Sequence, residues 1–196
     1  QITFFKVVYR RHTNFSMEAI QQTWNGNETG TGRCTATISR NCDLVHRMYL
    51  EVLGGLTTGS FGTGAANPGS AFIKNVSVEI GGQTIDTHTG VWMETWSELT
   101  QPNPTGHNSP IITNTNLSGN GTAFQNSTGM GGCLIATPVS GNWLATDTIY
   151  RVPLYFWFCR NPGLALPLIA LQYHEVKIIL EHTFNAIWST ASQTLG

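Results

Sequence analysis

Between Ile149 and His182 the chain reads IYRVPLYFWFCRNPGLALPLIALQYHEVKIILEH, and this stretch limits the fold more than any other. Its first part, Tyr150 to Phe158, is apolar or aromatic on both faces of an extended chain. Tyr150, Val152, Leu154, Phe156 and Phe158 share one side, and Tyr155 and Trp157 fill much of the other. Each large aromatic must remove roughly 150–250 Å² from water, so the expectation is a strand covered on both sides. The last part alternates. Val176, Ile178 and Leu180 point one way and Glu175, Lys177 and Glu181 the other, as in a strand with one solvated face. Asn161-Pro162-Gly163 is turn chemistry, and Pro167 interrupts any continuous element between the two.

The same period of two recurs upstream. Phe4–Tyr9 and Phe15–Trp24 are strand candidates, and Asn25-Gly26-Asn27 marks a turn. Cys34, Ala36 and Ile38 alternate with Arg33, Thr35, Thr37 and Ser39. Met48, Leu50 and Val52 alternate with Arg47, Tyr49 and Glu51. With Asn41 and Asp43 between them, these two runs are expected to pair as antiparallel neighbours. Phe72, Val76, Val78 and Ile80 mark another strand, Gly81-Gly82 a hairpin turn, and Gln83–Asp86 the return. Trp92, Trp96 and Leu99 fall at i, i+4 and i+7, so Thr89–Leu99 is expected to be the single short helix, with these three facing the core. Residues 54–70 and 101–132 are long, polar, glycine-rich loops, and Leu134–Val139 is a further strand candidate. Eight or nine short strands, one helix and two long loops give an all-β protein. An antiparallel sandwich or jelly roll is the economical architecture.

Composition narrows the function. Charged residues are 11% of the 196 and the net charge is −1, which gives no basic surface for nucleic acid. No apolar run reaches the roughly 20 residues of a membrane span. Cys34, Cys42, Cys133 and Cys159 lack metal-type spacing and read as small buried thiols. The six histidines (His12, His46, His88, His107, His174, His182) form no HExxH or HxxxH, and no phosphate-cradling glycine motif is present. Glu94 and Glu98 stand four apart on the expected helix, but without a carboxylate from another element they read as a solvated face rather than a glycosidase pair. No catalytic, cofactor or metal residue is assigned. Sequons occur at Asn14, Asn27, Asn75, Asn116, Asn120 and Asn126. The last three cluster in the long polar loop, which makes Asn116, Asn120 and Asn126 the candidate glycan sites.

Four collinear blocks carry a more specific signal. They are FFKVVYRRHTNFSMEAIQQTW (Phe4–Trp24), ISRNCDLVHRMYLEV (Ile38–Val52), VEIGGQTID with WMETWSELT (Val78–Thr100), and FWFCRNPGLALPLIALQYHEVKI near the end. Together they closely resemble the major capsid proteins of large nucleocytoplasmic double-stranded DNA viruses. The resemblance selects an eight-stranded jelly roll, the first of two in the family, over residues 1–185, with 186–196 starting a linker toward the second. It implies a structural protein and not an enzyme. The family forms homotrimeric capsomers that tile an icosahedral shell, are assembled in the host cytoplasm, and touch neighbouring capsomers, minor capsid and penton proteins. Arg10, Arg11 and His12 would then lie near the base of the trimer or against an inner membrane layer. No cofactor and no direct nucleic-acid contact is implied. Jelly rolls also serve as lectins. The alternative is therefore a carbohydrate-binding module with Trp24, Trp92, Trp143 or Trp188 as stacking platforms, and a cupin-type enzyme ranks third.

Overall fold

The computed structural model describes residues 14–28, 30–54, 67–102, 122–132, 148–183 and 193–195. In chain order its strands are β1 (Trp24–Gly26), β2 (Thr31–Thr37), β3 (Leu44–Val45), β4 (Tyr49–Gly54), β5 (Ile73–Ile80), β6 (Gln83–His88), β7 (Thr148–Pro153), β8 (Leu166–Pro167), β9 (Val176–Thr183) and β10 (Gln193–Leu195). The helices are α1 (Pro68–Ala71), α2 (Gly90–Thr100), α3 (Ala123–Thr128) and α4 (Trp157–Arg160). Strands β1-β2-β9-β5-β6 form one sheet, β10-β4-β7 a second, and β3 with β8 a short ribbon; every pairing is antiparallel. The fold is a jelly-roll sandwich.

The alternation in the sequence builds its interior. Cys34 from β2, Val76 and Val78 from β5, and Val176, Ile178 and Leu180 from β9 meet Leu50 and Val52 from β4 and Val152 from β7 in one buried cluster. β9 lies mid-sheet, with Cys34 opposite Leu180 on one side and Val76 opposite Leu180 on the other. Ile179 is buried as well, on the side opposite these core residues. Gly81 and Gly82 take φ of +59° and +84°, the left-handed pair that a two-residue hairpin between twisted strands requires.

Several expectations are corrected. The run 33–39 does not pair with 45–53: β2 lies between β1 and β9, while β4 lies between β7 and β10. Both strands bury one face in the same core, and the chain between them crosses from one sheet to the other. The segment 150–158 is not one strand. β7 ends at Pro153, which has no N–H to continue a ladder, and the chain turns into α4 after Phe156. Its inward residues are placed as read, since Val152, Leu154, Phe156 and Phe158 are all buried. Phe15–Trp24 is irregular until Trp24, with Phe15 and Met17 largely exposed. Asn25 and Gly26 belong to β1 rather than to a turn.

There is also more than one helix. α3 lies within the expected loop 101–132, held by a capping box in which the Thr122 hydroxyl accepts from Gln125 N–H and the Gln125 side chain accepts from Thr122 N–H. α1 starts with Pro68 at its first turn. Leu134–Val139, Phe4–Tyr9 and most of both long loops lie outside the described residues. β10 falls within 186–196, the span read as a linker, and pairs with β4.

Candidate functional site

Three places combine chemistry with rigidity. The first is the β3–β8 end of the sandwich. Leu44 faces Pro167 and Val45 faces Leu166 across the ribbon, and Leu168 N–H donates to the Asp43 carbonyl at 2.9 Å. The two prolines of NPGLALP, which lack an N–H to donate, limit the pairing of this chain to the two residues of β8. It folds instead into successive turns, closed by Ala170 N–H to Pro167 O, Leu171 N–H to Leu168 O and His174 N–H to Leu171 O. Arg40 fastens the turns, its Nη2 donating to the carbonyls of Leu171 (3.1 Å) and His174 (3.3 Å). On this frame Leu44 (58% exposed), Leu164 (51%), Ile169 (72%) and Tyr173 (88%) present apolar surface to solvent. Beside them an open hollow of about 220 Å³ is lined by Arg40, Cys42, Asp43, Leu168, Ile169 and Gln172.

The second is the outer surface of α2. Thr89 caps it by accepting from Trp92 N–H. The buried positions are Gly90, Met93 and Ser97, so the core-facing stripe is rotated from the expected one. Leu99 is exposed, and Trp92 and Trp96 are half-buried. The rotation follows from Gly90: a Cβ there would collide with the carbonyl of Ser70, so the helix approaches α1 more closely than any larger residue permits. His88, Trp92 and Trp96 stack in series at centroid distances of 4.1 and 5.5 Å. Phe156 lies 4.9 Å from His88, and the Arg160 guanidinium lies 4.5 Å from the Trp96 ring and 5.5 Å from that of Trp92. Trp92 is thus covered by its own neighbours and is no free sugar platform. Trp24 packs half-buried against the core, and Trp143 and Trp188 lie outside the described residues.

The third is Glu94, which the sequence suggested was a solvated residue and the structure shows to be an anchor. Its Oε1 accepts from the N–H groups of Gly131 (2.7 Å) and Gly132 (3.1 Å), and its Oε2 from the Ser70 hydroxyl (2.9 Å). One carboxylate therefore ties α2 to α1 and to the turn after α3. Its partners are mostly backbone amides, which leave no side-chain signature; the glycine pair 131–132 was the only trace.

The remaining candidates are dispersed. His46 Nδ1 lies 3.4 Å from the Phe158 carbonyl, and His182 Nε2 is 2.8 Å from that of Asn27, so both rings contact backbone. His174 is exposed, and His12 and His107 lie outside the described residues. Among the described residues no group of three His, Cys, Asp or Glu side chains is placed to hold a metal, and no helix is long and apolar enough to cross a membrane. Burial pushes the Cys34 thiol up to about 12 and that of Cys159 to about 11, while Cys42 is exposed, contrary to the reading of the cysteines as buried. Cys133 lies outside the described residues.

Of the sequons, Asn116 and Asn120 lie outside the described residues and Asn126 falls within α3. The amide of Asn75 donates to Glu181 (2.9 Å) and that of Asn27 to the Thr31 carbonyl (3.0 Å), so both are engaged in structure.

A jelly roll with an apolar end held by backbone hydrogen bonds, with Glu94, His46 and His182 engaged by backbone groups, is the class of protein that these places define. Its relatives agree. The sequence model of the family described as "Major capsid protein N-terminus" matches residues 3–195. The chain is 52% identical over 182 residues to the major capsid protein of Pyramimonas orientalis virus, covering 92% of this chain and 41% of that protein. It is 39% identical over 178 residues to that of Paramecium bursaria Chlorella virus 1, covering 91% and 35%. PBCV-1 VP54, in a crystal structure fitted into a cryo-EM reconstruction of the virophage Sputnik, superposes with a TM-score of 0.67 at 34% identity, covering 98% of this chain and 43% of that one. This chain belongs to the major capsid protein family of large DNA viruses and corresponds to its N-terminal part. It spans about two fifths of the length of the curated relatives it matches.

Proposed function

We propose that this chain is the first jelly roll of a capsid subunit that associates in threes, and that the trimers tile an icosahedral virion shell. Family membership supports the capsid role, and the exposed apolar side chains of Leu44, Leu164, Ile169 and Tyr173 at the β3–β8 ribbon support self-association. Apolar groups carried on a backbone already held by hydrogen bonds suit a lateral protein contact, because the backbone needs little further ordering when they are buried. On this reading the work is mechanical and needs no catalytic residue, cofactor or nucleic-acid contact. Residues 1–185 form the jelly roll, and 186–196, with β10 stitched to β4, begin the path to a second. Two similar jelly rolls per subunit would give a trimer a near-hexagonal outline. Neighbouring capsomers, minor capsid and penton proteins and an inner membrane layer are the partners, assembly occurs in the host cytoplasm, and Asn116, Asn120 and Asn126 are the positions for sugar.

The test is a double substitution, Ile169→Ser with Tyr173→Ser, in the full-length protein. Both side chains are exposed, so the melting temperature should hold to within about 0.5 kcal/mol of equivalent stability. Sedimentation and electron microscopy should show fewer trimers or fewer closed particles. Wild-type assembly by the double variant would remove this surface from the proposal, and a wild-type protein that stays monomeric at high concentration would remove the proposal itself.

A further inference from the structure

The imidazole of His88 is a buried polar group with one ring nitrogen unsatisfied among the described residues. It is 5% exposed at the end of β6, sandwiched between Trp92 of α2 and Phe156 ahead of α4, with interplanar angles of 27° and 25°. Nε2 lies 3.2 Å from Asp86 Oδ2, so the neutral ring donates there. Nδ1 is buried with no hydrogen-bond partner among the described residues. In the neutral ring that atom is an unpaired acceptor, a smaller penalty than an unpaired donor on a cation. In the imidazolium it becomes a second N–H with no acceptor, and a buried unsatisfied donor on a charged group is costly.

The surroundings offer one compensation and one further penalty. From its own strand Asp86 attracts the charged ring. From α4 Arg160 repels it, the guanidinium lying 5.5 Å from the Trp92 ring that His88 stacks on. β5 places Val76 opposite it, and α2 presents the indole of Trp92, while the nearby carboxylate of α2, Glu94, is committed to Ser70, Gly131 and Gly132.

We propose that His88 is an acid-sensitive latch for α2: proton uptake at Nδ1 breaks the His88–Trp92–Phe156 stack and loosens the helix from the sandwich. Burial drives the imidazole below its usual range and outweighs the upward pull of Asp86, and Arg160 adds to the lowering. The sign follows. A histidine depressed in the fold contributes stability that is intact above about 6.5 and is lost as pH falls through the lower folded value. The loss reaches past α2, because Glu94 on that helix holds the 131–132 turn.

Hydrogen exchange of the intact protein, corrected for the intrinsic pH dependence and stepped from about pH 7.5 to about pH 5, reads the latch directly. Peptides covering residues 90–100 should lose protection several-fold below about pH 6.5 while those of β9 keep theirs. In His88→Phe, which retains the stack without a proton to gain, that loss should vanish; His88→Gln serves in its place if the phenylalanine variant does not fold. Arg160→Gln, lacking the second cation, should move the midpoint to higher pH. Unchanged protection of 90–100 in the wild type, an equal loss in the His88 variant, or a midpoint unmoved by Arg160→Gln would each overturn the latch.

Discussion

At the scale of single residues, the groups that matter most are those whose partners are backbone. Glu94→Ala would remove the acceptor of two amide N–H groups and leave the Ser70 hydroxyl only its longer contact with the Asn67 carbonyl, at 3.4 Å. A hydrogen bond to a charged group contributes roughly 1.5–3 kcal/mol, and so a loss of about 2–3 kcal/mol in urea unfolding is expected. The thiols separate by burial. A maleimide should modify Cys42 in the native protein within minutes and leave Cys34, pushed up to about 12 inside the sheet, untouched until unfolding; mass spectrometry of the labelled peptides decides this. Little of this was legible beforehand. Alternating Cys34, Ala36 and Ile38 announced their own burial, but nothing in the neighbourhood of Glu94 announced that its carboxylate would meet amides 37 residues away.

At the scale of elements, what could be read depended on where each element's information lies. β9 and the β5–Gly81-Gly82–β6 hairpin carry theirs locally, in strict alternation and in a turn that only left-handed residues fill, and both appear where expected. The aromatic run 150–158 has apolar residues on both sides, so its periodicity cannot distinguish a buried strand from a buried irregular passage, and Pro153 alone hinted at the break. α3 was hidden by polarity, although Thr122 and Gln125 spell its capping box. The sheet to which β2 and β4 belong was not legible at all, because that choice is made by strands about a hundred residues away or more. The rotated face of α2 follows from Gly90, which offers the direct check. Gly90→Ala improves helix propensity by roughly 1 kcal/mol. It also drives a methyl into the Ser70 carbonyl, so a net loss of about 1–3 kcal/mol is expected by chemical denaturation. A stabilised variant would mean that α1 and α2 are not locked together.

At the scale of the whole molecule, a single cluster serves both sheets, so damage in one should be felt in the other. Leu180→Ala empties the centre of that cluster and should cost about 2–5 kcal/mol, with exchange protection falling together in β5 of one sheet and β4 of the other. Protection lost in the first sheet alone would divide the core in two. The position of β9 has a mechanical meaning as well. It is gripped along its length by two antiparallel ladders, seven paired positions with β2 and seven with β5. Tension carried along β9 therefore loads both rows side by side, in shear, instead of opening them one bond after another. Forced unfolding is governed by the height of the barrier to the first rupture, and a strand sheared on both edges presents a high one. A domain built round such a strand would resist a pull along β9 more than a pull that peels its edges apart.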